Sequence, residues 1–170
     1  VDYNFLVHYF SDAGYLAARR EIERHLIELG DKKALIEKAR DGSVIGVRTV
    51  LEPKAVVQEF KEKAVENPAE FSATEKWVPV ECWCPAGIET IKKTVFGILG
   101  QISPQDRWSV EVETWGRGPF AEEIVQMLKR IISARFVESS ASKIVFVEFQ
   151  GDEAAVSILR QDDFFVVVRV

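Results

Sequence analysis

Apolar positions change their period several times along the chain, and each change marks an element. Residues 2–10, D-Y-N-F-L-V-H-Y-F, are aromatic and β-branched and read as a strand. Ser11 and Asp12 then offer N-cap oxygens, and Tyr15, Ala18, Ile22, Leu26 and Leu29 recur at helical spacing until Gly30 stops the run. A short strand is expected at Val44–Val50. Pro53 can open a second helix, carried by Val56, Val57, Phe60 and Ala64 and broken at Asn67-Pro68. Lys76–Cys84 reads as a strand, and Pro85-Ala86-Gly87 as a turn before a helix over Ile88–Leu99. Ser103–Asp106 forms a loop leading into the strand Trp108–Trp115, and a further helix is expected to run from Pro119 to about Phe136. Lys143–Phe149 and Ala154–Leu159 form a strand pair joined through Gln150-Gly151-Asp152, and Phe164–Val170 closes the chain as a strand. Strands alternating with helices, with hairpin pairing near the end, imply a layered α/β or α+β fold.

On the strand Lys76–Cys84 the pair Cys82 and Cys84 shares a face with Val78 and Val80, which places both thiols in the core. No second cysteine pair exists, and His8 and His25 lie far away in sequence, so no metal site of usual spacing can be assembled. Glu111 and Glu113 alternate with Trp108, Val110 and Val112, which makes them the solvated face of a half-buried strand rather than an acid/base pair. His25 sits beside Leu26 on the apolar stripe of the first helix and reads as a core-edge histidine. No Ser/His/Asp or Cys/His arrangement accompanies it, so a chain that performs chemistry alone is poorly supported.

Charge narrows the choice of partner. The 170 residues are 47% hydrophobic and carry a formal net charge of −5. Residues 1–106 hold 14 Lys+Arg against 17 Asp+Glu, and residues 107–170 hold 8 against 10. Neither part is basic, whereas polynucleotide binding draws much of its affinity from cations that displace counterions. RNA binding would have to come from a local patch. The apolar run Phe164–Val168 falls well short of the roughly 20 residues a membrane helix needs. No basic leader precedes the first apolar residues, so a cytoplasmic location is expected.

One stretch, W-G-R-G-P-F-A-E-E-I over Trp115–Ile124, carries the letters of a dinucleotide loop, G-x-G-x-x-A from Gly116 to Ala121. Pro119 removes one amide donor from the helix start, and Glu122 and Glu123 put two negative charges where a pyrophosphate would sit. The turn is better read as two glycines reversing the chain, with Arg117 raised as an exposed guanidinium suited to one backbone phosphate. In the helix that follows, Phe120, Ile124, Leu128, Ile131 and Ile132 form the buried stripe. Lys129 and Arg130 lie opposite, in register with Glu122, Glu123 and Gln126, which allows an internally paired solvent face.

The stretches W-V-P-V (Trp77–Val80), I-E-T-I-K-K-T-V-F-G-I-L (Ile88–Leu99) and W-S-V-E-V-E (Trp108–Glu113) follow one another in a telling order. So do A-E-E-I-V-Q-M-L-K-R-I-I (Ala121–Ile132) and K-I-V-F-V-E-F-Q-G-D-E-A-A-V-S-I-L (Lys143–Leu159). This order resembles a THUMP domain preceded by a ferredoxin-like segment, the pair found in tRNA-modifying proteins. The chain is most similar to the stand-alone kind, which carries no catalytic domain and acts as an adaptor for tRNA cytidine acetylation. The pattern covers about residues 75–170, and the N-terminal segment matches by element order. Two stretches depart from the family: Glu113 and Trp115 stand where basic residues are usual, and V-E-S-S-A-S (Val137–Ser142) replaces V-D-L-x-N-P.

The resemblance implies a ferredoxin-like segment over residues 1–85 and a THUMP-like α/β domain over 86–170. It implies a non-catalytic module, without cofactor or metal, that grips tRNA near its acceptor end and presents it to a separate modifying enzyme, an acetyltransferase by the nearest likeness. Neither DNA nor a membrane is an expected partner. Position and charge nominate Arg117, Lys129, Arg130 and Lys143 as RNA contacts. Two alternatives stay open: a protein-interaction or structural module without RNA affinity, and a small-molecule-binding enzyme using the Gly116–Gly118 turn.

Overall fold

The computed structural model describes residues 2–116 and 120–169. Contacts divide the chain into two units, one of Asp2–Val80 with Asp162–Val170 and the other of Glu81–Gln161. The division expected at residues 85/86 is thus not where contacts separate the chain: Glu81–Pro85 belongs with the second unit, and the C-terminal segment returns to the first.

The first unit runs β1 (Phe5–Tyr9), α1 (Tyr15–Glu28), β2 (Leu35–Lys38), β3 (Val44–Arg48), α2 (Pro53–Glu66) and β4 (Thr74–Pro79). These strands are ordered β4-β1-β3-β2 and pair antiparallel, the βαββαβ arrangement of a ferredoxin-like fold. The final strand β10 (Phe165–Val166) pairs with β4 on the open edge. Its core gathers the helical stripe Ala18, Ile22, Leu26, Val56, Val57 and Phe60 against Phe5, Val7, Ile45, Val47 and Trp77. Gly46 lets the Tyr3 ring lie directly over the β3 backbone, where a Cβ would meet it at 2.3 Å unless the ring shifted. Helix α2 opens at Pro53 as expected, whereas the start of α1 differs. Glu52 caps α2 by accepting from the amides of Lys54 (3.2 Å) and Ala55 (2.7 Å). Helix α1 starts after Gly14, which has no side chain to cap it, and the Asp12 carboxylate two residues earlier accepts from the guanidinium fork of Arg169 at 2.9 and 3.0 Å.

The expected strand Lys76–Cys84 is in fact two. β4 ends at Pro79, and the chain changes sheet before β5 (Cys82–Pro85). Cys82 and Cys84 therefore do not share a face with Val78 and Val80; Cys84 is buried in the core of the second unit and Cys82 packs against that core. The second unit continues with α3 (Ile88–Ile98), β6 (Arg107–Glu113), α4 (Phe120–Ile131), β7 (Arg135–Phe136), β8 (Lys143–Gln150) and β9 (Glu153–Leu159). Its sheet is ordered β5-β9-β8-β6-β7, with β6 parallel to both β8 and β7 and the remaining pairs antiparallel. Ile91 and Val95 of α3 and Ile124, Met127 and Leu128 of α4 pack over Trp108, Val145, Val147, Phe149, Val156 and Ile158.

Helix α4 ends sooner than the apolar spacing predicts, and Phe136 lies in a strand. Trp108 explains the break. Its indole Nε1 donates to the carbonyl of Ala134 at 2.9 Å, its own carbonyl accepts from Val137 N at 2.9 Å, and its ring meets Phe136 edge-on at 4.9 Å. A buried tryptophan with a satisfied N–H outweighs the local preference for a further helical turn.

Candidate nucleic-acid interface

Strand alternation sets the two faces of β6. Trp108, Val110 and Val112 turn to the helices, whereas Arg107, Glu111 and Glu113 are exposed. Because β6 and β7 are parallel, α4 crosses back between them, so its first turn lies at the carboxyl end of β6 and its last turn at the amino end. Two ring contacts record this path: Phe120 faces Phe149 near the end of β8 at 6.4 Å, and the Lys129 ammonium lies 4.3 Å above the Phe136 ring.

That crossover sorts the charges. Glu113 and Glu148 are partners in the β6–β8 ladder at the carboxyl end, where Glu122 and Glu123 open α4 and Asp152 and Glu153 turn β8 into β9. At the amino end stand Arg107, Lys129, Arg130, Arg135 and Lys143. Arg107 and Arg135 are direct ladder partners on adjacent parallel strands, so their side chains leave the same face of the sheet side by side. Both are exposed, and neither guanidinium has an ion-pair partner among the described residues. Asp106, Glu138 and Glu81 are acids near this end; Asp106 is already engaged, and Glu81 accepts from Gln101 Nε2 at 2.9 Å and Ile158 N at 2.8 Å.

Asp106 ties the loop before β6 to the start of β8. Its carboxylate accepts from Ser103 N at 2.7 Å and from the Ser142 hydroxyl at 2.9 Å, and it pairs with Lys143 at 3.4 Å. The Ser103 amide, then Ser142 and Lys143, hold its carboxyl below the ordinary aspartate value. The Lys143 ammonium also donates to the carbonyl of Gln101. Of the four residues nominated from sequence, Lys143 is therefore committed to an internal network and largely covered.

Lys129 and Arg130 are exposed in the last turn of α4, where cations complement the helix dipole. The internally paired face expected for them is not what forms. Gln126 instead donates to Glu122 at 2.9 Å, Lys129 takes the Phe136 ring, and Arg130 has no ion pair among the described residues. Arg130 lines a cleft of about 400 Å³ between α3 and α4 with Glu89, Lys92, Glu122 and Glu123, a mixed-charge surface. Arg117, nominated first from sequence, lies outside the described residues. Of the turn before it, Trp115 adopts φ 52° and Gly116 φ 76°, both left-handed, and the Trp115 indole donates to Glu148 at 3.1 Å. Sequence reasoning missed Arg107 and Arg135, since only strand pairing brings them together.

The remaining candidate chemistry stays bland. Burial raises the thiol pKa of both Cys82 and Cys84, which keeps them protonated and unreactive. Among the described residues no group of three or more His, Cys, Asp or Glu side chains could hold a metal ion. His25 is fully buried and stacked on Phe71 at 4.3 Å, deeper than a core-edge position. No helix of the described residues is long and apolar enough to cross a membrane.

No family model matches the chain, and no curated protein matches its sequence. Solved structures do match its fold. PH1313 from Pyrococcus horikoshii Ot3 is similar over 92% of the chain with TM-score 0.61 and 12% identity. A 4-thiouridine synthetase solved in complex with RNA and with bound ATP matches over 92% with TM-score 0.53 and 15% identity. TrmN from Thermus thermophilus matches over 91% with TM-score 0.53 and 13% identity. The chain spans 54%, 40% and 44% of those three chains respectively, about half of their length or less. The fold is thus the mixed α/β one expected, and identities this low extend the likeness to fold alone.

Proposed function

We propose that this chain is an RNA-binding module that holds transfer RNA for a separate modifying enzyme and performs no chemistry itself. The observation that carries this reading is the sorting of charge in the second unit. An acidic chain gathers Arg107, Lys129, Arg130, Arg135 and Lys143 at one end of a sheet, three of them arginines without ion-pair partners among the described residues. Phosphate contacts need such a local patch, not a basic chain. The shared fold with a synthetase solved in complex with RNA supports the same ligand class. Arg117, Lys129, Arg130 and Lys143 are the proposed contacts, with Lys143 adding charge from within its network. Cytidine acetylation is the proposed modification, an acetyltransferase the proposed partner, and the cytoplasm the proposed location.

Binding of an unmodified tRNA transcript, measured over a salt series, tests this reading. Neutralising several phosphates gives a falling log–log dependence of affinity on salt, at about 0.9 per phosphate on a duplex. Arg117→Ala is expected to weaken binding without moving the melting temperature. If no salt-dependent binding appears even at low ionic strength, the RNA reading is lost and a protein-interaction module takes its place.

A further inference from the structure

The Arg107–Arg135 pair has a cost that the fold does not repay. Direct partners on adjacent strands stand about 4.8 Å apart, and like charges so placed are destabilising. The chain nevertheless fixes both. Trp108 binds the backbone on either side of β7 through the Ala134 carbonyl and the Val137 amide, and Phe136 is held against its ring. On the other flank, the Ser142 amide donates to the carbonyl of Arg107 at 2.8 Å and the Ser142 hydroxyl accepts from the Arg107 amide at 3.0 Å. The backbone beneath the two guanidiniums is thus pinned from both sides, and no carboxylate among the described residues separates them.

β7 is also the edge of its sheet, with no strand beyond it among the described residues. Cations border it on both faces: the arginine pair on the exposed face, and Lys129 over Phe136 on the helical face.

We propose that Arg107 and Arg135 form a clamp for a single phosphate group of an RNA backbone at the edge of β7, with Lys129 contacting the neighbouring phosphate. Planar guanidinium forks aimed from adjacent strands match the oxygens of one phosphate, and an anion between them turns their repulsion into attraction. Backbone RNA is the ligand class the surface favours, because the third cation carries the patch around the strand edge onto the other face instead of closing a pocket around a small anion. This clamp rests on the RNA-binding reading above and gives it a defined contact.

The competing account is that charges on an edge strand merely block sheet-to-sheet association. Arg107→Gln, Arg135→Gln and the double variant distinguish the two. With an unmodified tRNA transcript, each single variant is expected to lower affinity about tenfold with little change in the salt slope, because the remaining arginine still neutralises the shared phosphate. The double variant loses more affinity and reduces the slope by roughly one. Melting temperatures stay level or rise as the repulsion is relieved. Unchanged affinity and slope in the double variant would overturn the clamp while leaving the RNA reading intact, and a slope loss of two would replace it with separate contacts. Self-association of the variants with RNA affinity preserved would identify edge protection. If the unaltered chain binds no RNA, titration with inorganic pyrophosphate, read on the Nε–H resonances of the two arginines, separates the remaining cases. Movement of both would overturn the polymer ligand and leave a small-anion site, and no movement would overturn the clamp entirely.

Discussion

Two buried polar residues one turn apart on α1 show how single side chains hold the first unit. The Glu21 carboxylate accepts from the amides of Ser72 (2.8 Å), Ala73 (3.0 Å) and Thr74 (2.8 Å) and from the Thr74 hydroxyl (2.5 Å). This collects the donors of a segment that would otherwise leave them buried and unpaired. His25 binds the same segment further up. Its Nε2–H donates to the carbonyl of Glu70 at 2.8 Å, which leaves Nδ1 to accept from the Lys63 ammonium at 3.1 Å. Burial first, then the charges of Lys63 and Arg24, lower its pKa below the ordinary 6.5, against the opposing Glu70 carbonyl. The unfolded chain then takes up a proton at a higher pH than the folded one. Neutral His25 contributes fully above the unfolded value, and the contribution is lost as the pH falls below it. The urea midpoint of the unaltered protein is expected to drop as the pH falls below about 6.5, and His25→Gln to flatten that drop. An equal drop in the variant would remove His25 as the cause.

Elements follow local pattern where burial is one-sided and depart from it where a tertiary contact wins. Helix α2 begins and ends where Pro53 and Asn67-Pro68 punctuate it. Strand β2, L-I-E-K, has no alternating pattern in the sequence because its four residues bury Ile36 alone. The break between β4 and β5 falls at Pro79, which cannot donate to a ladder, but the apolar run continues across it because Val78, Val80 and Cys84 are all buried, although in different cores or sheets. Helix α3 carries an avoidable weakness. Gly97 is exposed inside it, and a Cβ there would meet nothing within 4 Å. Gly97→Ala should raise stability by about 0.5–1 kcal/mol in chemical denaturation, since alanine restricts the unfolded chain and favours the helix. A loss of stability would mean that the glycine answers to a contact not otherwise visible.

At the scale of the whole molecule, the chain leaves its first unit at Val80 and returns to it at Asp162. The returning segment is well anchored. Gln58 and Lys61 donate to the Asp162 carbonyl at 2.9 and 2.5 Å, and Phe165 meets Phe71 at 4.8 Å and Phe60 at 6.1 Å. Arg169 covers the Phe10 ring at 3.8 Å while holding Asp12. Phe165→Ala is expected to cost roughly 3–5 kcal/mol, as for other buried aromatics, and to speed amide exchange in β4, its ladder partner. Unchanged exchange there would show that β10 is dispensable to the first sheet. Charge behaves differently at this scale from any count along the chain. A net charge of −5 hides a unit that gathers Arg107, Lys129, Arg130, Arg135 and Lys143 at one end of its sheet.

The sequence by itself determined what depends on neighbours along the chain. Periodicity gave the major helices and most strands, alternation put Glu111 and Glu113 outside and Trp108 inside, and element order gave the fold class. These were legible because they follow from repeats of two or 3.6 residues. Only the tertiary structure decided which cations meet. Arg107 and Arg135 are 28 positions apart in sequence and become neighbours through one two-residue strand that Trp108 holds in place. Lys143, equally plausible by position and charge, is drawn instead into the Asp106 network. Long-range pairing leaves no trace in a local window, because its cost and its contacts are shared between segments that a linear reading keeps apart.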